Sequence, residues 1–213
     1  DQNRRGAPVA YVNMGLVAAN VLVFLYMLTL SQAELERFVF TFGTIPAQIL
    51  QGQDLYTLFT STFVHGGWLH IASNMIFLWI FGDNIEAALG HLPYLLFYLA
   101  TGILASLVHV LFNPTSVIPS IGASGAIAGI LGAYVVLFPT REVRVFILGL
   151  VTEASAVIFL GVWAFLQLFT GLASLGVRTA QTGGVAVWAH VGGFVVGLVA
   201  GIVAREAGRQ YRA

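Results

Sequence analysis

The sequence predicts an all-α polytopic membrane protein, a bundle of six transmembrane helices forming one domain over residues 1–213. Three observations carry that prediction. Of the 213 residues 58% are hydrophobic and 8% charged, with a mean hydropathy of +0.89, too few charges to cover a water-soluble globule of this size. The charged positions leave uncharged gaps at 6–33, 55–82, 87–140, 154–177 and 179–204, and a helix needs about 20 apolar residues to cross a bilayer. The arginines, finally, divide unequally between alternate loops.

The first span is placed at 9–30. It is too long for a signal-peptide core and lacks a small-residue cleavage site after it, so it reads as retained, while the absence of a leading Met reads as a trimmed start. Residues 31–65 form a long first outer loop, where Glu34, Glu36, Arg37 and Asp54 are scattered among Phe38, Phe40, Phe42, Leu50 and Tyr56. That mixture suits short amphipathic helices lying at the lipid headgroups. The remaining spans fall at 66–86, 92–112, 122–138, 152–172 and 185–204, the 54-residue gap being divided by Asn113-Pro114 and Pro119. Helices are required because lipid satisfies no open strand edge. With the N-terminus inside, Arg4, Arg5, Arg141, Arg144, Arg205, Arg209 and Arg212 are cytoplasmic, and only Arg37 and Arg178 lie outside.

Composition also excludes functions. A formal net charge of zero, a pI near 7.2 and nine arginines in no basic run argue against a nucleic-acid partner. With no cysteine there is no disulfide, thiolate nucleophile or Cys-ligated metal. His65 and His70 have no metalloprotease Glu between them, and no carboxylate ligand set accompanies them, so neither metal nor cofactor is expected. His91 and His109 read as structural.

Polar residues inside the spans need a reason, since hydrocarbon offers them no water. The second, fourth and sixth spans run in the same direction, from outside to inside. His70 and Asn74, Ser124 and His190 all lie near the outer ends of these three helices and therefore share one layer. His70 and Asn74 are four residues apart on one helical face and can aim donors at a common point, an arrangement suited to an oxyanion; interhelical hydrogen bonding is the plainer alternative. Gly193, Gly197 and Gly201 form a smooth stripe after His190, and Ser124, Ala128 and Gly132 repeat every four residues, with Gly125 and Gly129 beside them. Small residues let helix backbones approach closely in membranes, so packing these faces brings the Ser124 hydroxyl towards the His190 imidazole. A glycine zipper without chemistry is the competing account. Ser124 needs a base to become a nucleophile, and a histidine is the side chain suited to that task near neutral pH. Neither span contains Asp or Glu. A Ser124–His190 dyad is therefore the economical reading, with the backbone N–H of Ser124 joining His70 and Asn74 around a tetrahedral intermediate. Gly122-Ala123-Ser124-Gly125-Ala126 lacks the second glycine and the preceding strand of the nucleophile elbow of soluble hydrolases.

Three stretches resemble the rhomboid family of intramembrane serine proteases: His65-Gly66-Gly67-Trp68-Leu69-His70-Ile71-Ala72-Ser73-Asn74, Gly122-Ala123-Ser124-Gly125 and Ala189-His190-Val191-Gly192-Gly193. They occur in order on the second, fourth and sixth spans. The resemblance implies Ser124 as nucleophile, His190 as general base, and His70 with Asn74 around the oxyanion. It implies single-span membrane proteins as substrates, cut near the outer face of the bilayer, and an integral protein of a bacterial plasma membrane with both termini cytoplasmic. Glu86 and His65 match structural, supporting positions. By the same likeness the fifth span and the outer loop at 172–184 move to admit substrate. Two departures stand out. Tyr56-Thr57 occupies the place of a Trp-Arg pair common in the family's first outer loop. Ala128 stands where some members carry a tyrosine stacked on the histidine, so another group has to orient His190, with Trp188 and the bulky residues of the fifth span as candidates. A catalytically silent relative that binds membrane clients is the alternative function, disfavoured by the intact dyad. A transporter would show ionisable residues near mid-membrane or a repeated half, and neither is seen.

Overall fold

The computed structural model describes residues 9–147, 150–174 and 186–210. Arg4, Arg5, Arg178, Arg212 and the part of the expected gating loop beyond Ser174 lie outside the described residues. The architecture is mostly helical. Helix α1 (Tyr11–Met27) leads into a first loop that is itself helical: α2 (Gln32–Phe42), α3 (Pro46–Leu50), α4 (Thr57–Thr60) and a single 3-10 turn at Ser61–Phe63. A continuous helical run follows from α5 (Trp68–Phe77) through a π-helical segment at Leu78–Gly82 into α6 (Asp83–Leu89). Then come α7 (His91–Phe112), α8 (Ser124–Leu137), a β-hairpin of β1 (Glu142–Ile147) and β2 (Leu150–Ser155), α9 (Ala156–Ser174) and α10 (Val187–Gln210). Helices α7, α9 and α10 are each long and apolar enough to cross a membrane; α1 and α8 are shorter apolar helices.

Helix α8 occupies the centre, and every residue from Gly125 to Tyr134 is buried. Its sequence explains the position, because a helix apolar on all sides has no face to give to water. Fourteen residues amount to about 21 Å, less than the roughly 30 Å of a hydrocarbon core. Around it, Leu78, Ile85, Tyr94, Tyr98, Ile130, Leu131 and Leu160 are almost fully enclosed. The outer faces stay apolar instead of polar: Ile158, Val162, Phe165, Leu166 and Phe169 on α9 and Val195, Val199, Ile202 and Val203 on α10 are all exposed. A continuous exposed apolar surface of this kind fits lipid, not water.

Two polar devices fix the end of the bundle around Glu86. Glu86, only 1% exposed, accepts hydrogen bonds from the backbone N–H groups of Val12 (3.0 Å) and Asn13 (2.7 Å), and pairs with His91. It thus satisfies two of the unpaired donors at the start of α1. Asn13 donates to the Leu78 carbonyl at 3.1 Å, where the π-helical segment begins, and accepts from the Tyr94 hydroxyl at 2.7 Å. These contacts place both Glu86 and His91 among structural residues.

The hairpin departs from the expected all-helical pattern. Residues 152–155, assigned from sequence to the fifth span, belong to β2, and α9 begins only at Ala156. Glu142 to Ser155 carries closely spaced charges and β-branched residues, and Arg144 lies directly opposite Glu153 in the antiparallel register. Their exposed side chains meet at 3.4 Å, a surface pair contributing about 0–1 kcal/mol.

The first outer loop is held from within. Ser31 and Glu34 form a reciprocal capping box at the start of α2. The buried Thr44 hydroxyl donates to the Thr57 carbonyl and contacts the Ser61 hydroxyl, both at 2.9 Å, and the Tyr56 hydroxyl reaches the Thr41 carbonyl at 2.9 Å. Tyr56-Thr57, at the place of the expected Trp-Arg pair, thus anchors the loop through a phenol and a main-chain carbonyl.

Candidate active site

The serine stands at the head of α8 on a turn that the first loop braces. Thr44 and Ser120 exchange backbone hydrogen bonds (2.9 and 2.8 Å), Ala47 N–H donates to the Ser116 carbonyl at 3.0 Å, and Gly122 N–H donates to the Ser61 carbonyl at 2.8 Å. Ala123 N–H, the donor immediately before Ser124, faces the buried His65 Nε2 at 3.4 Å. His65 is therefore a supporting residue, as its position in the motif implies. Gly122 adopts φ of +122°, which an L side chain would strain to reach, and a Cβ there would lie 2.6 Å from His70 Nε2. Only glycine lets the turn before Ser124 pass this close to the imidazole.

Helix α10 meets α8 backbone to backbone. A Cβ on Gly193 would collide with the Gly125 carbonyl, one on Gly197 with the Gly129 carbonyl, and one on Gly132 with the Phe194 carbonyl. The smooth faces inferred from sequence do meet, and their closest contacts run through Gly125, Gly129 and Gly132. Ser124 is left at the border of the seam, where its Oγ lies 2.7 Å from His190 Nε2. His190 itself is 7% exposed. The two residues are 66 apart in sequence and hydrogen-bonded in space.

His190 Nδ1 is 3.0 Å from Oε1 of Gln167 on α9, and the ring of Trp163, one turn earlier, is centred 5.8 Å away at 34°. These are the groups that flank the His190 ring. Trp188 is not among them: it stacks on Phe112 with ring centroids 3.8 Å apart and planes at 6°. The sequence signal for Gln167 is an amide in a mostly apolar span, and nothing in one dimension aligns it with His190.

His70 accepts from Gly66 N–H through Nδ1 at 3.3 Å, so its proton resides on Nε2, the nitrogen beside Gly122. Asn74, 6% exposed, donates to the His70 carbonyl at 2.8 Å, one turn back on its own helix. Its amide carries a second hydrogen. His109 contacts Asn113. Beside Ser124 opens a small pocket lined by Ser61, Thr62, Ser106, Ser120, Gly122 and Ala189. Among the described residues no three His, Asp or Glu side chains gather as a metal ligand set. Chemically the cluster holds a hydroxyl against an imidazole nitrogen, an orienting acceptor behind that imidazole, and a second imidazole with its N–H near the same turn.

Comparison with known proteins bears on this arrangement. The family model for the Rhomboid domain matches residues 52–207. Rhomboid-like protein 11, chloroplastic, of Arabidopsis thaliana is 33% identical over 150 residues, covering 68% of this chain and 50% of that protein. Rhomboid protease GluP of Bacillus subtilis (strain 168) is 39% identical over 92 residues, covering 43% of this chain and 18% of its own length. The mitochondrial presenilin-associated rhomboid-like protein of Pongo abelii is 32% identical over 141 residues, covering 65% of this chain and 36% of that protein. The chain thus spans half or less of each of these relatives.

Proposed function

The chain belongs to the rhomboid family, and on that premise we propose that it is an intramembrane serine endopeptidase working through a Ser124–His190 dyad. The observation that carries the reading is the 2.7 Å contact between Ser124 Oγ and His190 Nε2. In the proposed reaction Nε2 takes the Ser124 proton as Oγ attacks the scissile carbonyl carbon. Negative charge forms on the carbonyl oxygen, where the Ser124 N–H, His70 Nε2–H and the free Asn74 amide hydrogen stabilise it. Collapse of the intermediate breaks the C–N bond, and His190 returns the proton to the departing amine. Water then repeats the sequence on the acyl-enzyme and restores Ser124.

The substrates are single-span membrane proteins. We read six spans, the second being the continuous Trp68–Leu89 run, with both termini cytoplasmic in a bacterial plasma membrane. The shortness of α8 supports a serine set below the outer face. An aqueous dip then reaches it. Purified protein in liposomes is expected to cleave a single-span substrate without added metal or ATP, and Ser124→Ala to abolish cleavage while leaving the fold intact. A fluorophosphonate probe that labelled Ser124→Ala as well as the parent would sink the nucleophile assignment. A client-binding relative without catalysis would hold the same substrate uncut.

A further inference from the structure

We propose that Gln167 is a positioning residue that fixes the tautomer of His190, an inference that rests on the dyad reading above. A neutral imidazole has one N–H and one lone pair, and only Nε2 bearing the lone pair can take the Ser124 proton. In solution the opposite tautomer, with the proton on Nε2, is the more populated. Something has to reverse that preference. Gln167 Oε1, 3.0 Å from Nδ1, is an acceptor and so demands the proton there, leaving Nε2 to accept from Ser124 Oγ at 2.7 Å. The remainder of α9 shows that this amide is placed for a tertiary contact. The helix's other hydroxyls at Thr170 and Ser174 bond back to their own helix, at Leu166 and Gly171. Gly171, one turn on, keeps α9 close to α10, since a Cβ there would lie 3.2 Å from the Trp188 ring. Trp163, one turn before, walls the imidazole. A neutral amide thus takes over the orienting part of a triad carboxylate without placing a charge in the bilayer.

The test uses the full chain in liposomes with a single-span substrate, together with nitrogen-15 NMR of labelled histidine to read which His190 nitrogen is protonated. Gln167→Leu and the near-isosteric Gln167→Met are expected to lower kcat about 10- to 100-fold with KM within about twofold, inside the roughly 10,000-fold loss that follows from a wrong tautomer elsewhere. Both should move the His190 proton towards Nε2. Gln167→Glu, assayed at a pH where the carboxylate is ionised and can only accept, should keep the Nδ1–H tautomer and stay within about fivefold of the parent kcat. The proposal is overturned if Leu and Met keep the parent tautomer and kcat, or if Gln167→Glu behaves as they do. A parent that showed the Nδ1–H tautomer but no Ser124-dependent cleavage would remove the protease reading and leave the positioning contact standing.

Discussion

Replacing Gly197 by alanine tests the seam that brings the dyad together. The added Cβ would collide with the Gly129 carbonyl oxygen and sit 2.6 Å from its carbon and 2.7 Å from its Cα. All three atoms are backbone, so no rotamer change relieves the overlap. Restoring an ordinary separation of about 3.5 Å requires the helices to part by about 1.5 Å. Gly197 lies seven residues from His190, roughly 10 Å along the helix, so much of that displacement reaches the imidazole. Opening the 2.7 Å Ser124–His190 contact towards 3.7 Å carries it past the usual hydrogen-bond limit of about 3.5 Å. The expected result is about 1–3 kcal/mol of destabilisation from overpacking and about 100-fold less cleavage from misplacement. Thermal melting in detergent and single-span cleavage in liposomes read the two effects. Gly161→Ala is the control, because a Cβ there meets nothing within 4 Å, and alanine gains about 1 kcal/mol of helix propensity. If Gly197→Ala melted and cleaved like the parent while Gly161→Ala did too, the close backbone contact would be refuted as the source of the dyad geometry.

Glu86→Ala removes the acceptor for two backbone N–H groups at the start of α1; a loss of about 3 kcal/mol is expected as a lower melting midpoint, with residual activity retained at low temperature because the dyad is untouched. Asn74→Ala should reduce turnover about 10- to 1,000-fold with little change in KM, and undiminished turnover would remove Asn74 from the oxyanion site. Burial, reinforced by the charge of His70 and opposed by the Phe63 carbonyl, pushes the His65 imidazole down from 6.5 to about 4. The folded protein therefore binds fewer protons at this residue than the unfolded chain, so stability contributed above pH 6.5 is lost as pH falls towards 4. The slope is about 1.4 kcal/mol per pH unit within that window. Melting curves between pH 4 and 7 should carry this contribution, and His65→Gln should lower their slope by about that amount.

Much of the site was legible before any coordinates. Ser124, His190, His70 and Asn74 announced themselves because polar side chains in long apolar stretches are costly, and the glycine stripe on the sixth span marked a close helix contact. The capping residue Ser31 and the separate helices of the first loop were legible only as an amphipathic tendency. The hairpin at 142–155 is hidden in one dimension because its charges suit a connecting loop and its tail runs into an apolar stretch. Helix ends differ from expectation by up to about six residues, the usual uncertainty of such boundaries.

By itself the sequence determined that this is a mostly helical membrane protein with polar groups set in long apolar stretches, because hydropathy and composition are properties of one dimension. Tertiary structure alone decided how closely the Gly125 and Gly129 carbonyls approach Gly193 and Gly197, that Thr44 and Ser61 brace the turn before Ser124, and that Gln167 stands behind His190. Each of these joins atoms many residues apart whose meeting depends on helix rotation about its own axis. Rotation is set by where a Cβ will not fit, and that is a property of two packed surfaces that neither segment carries alone.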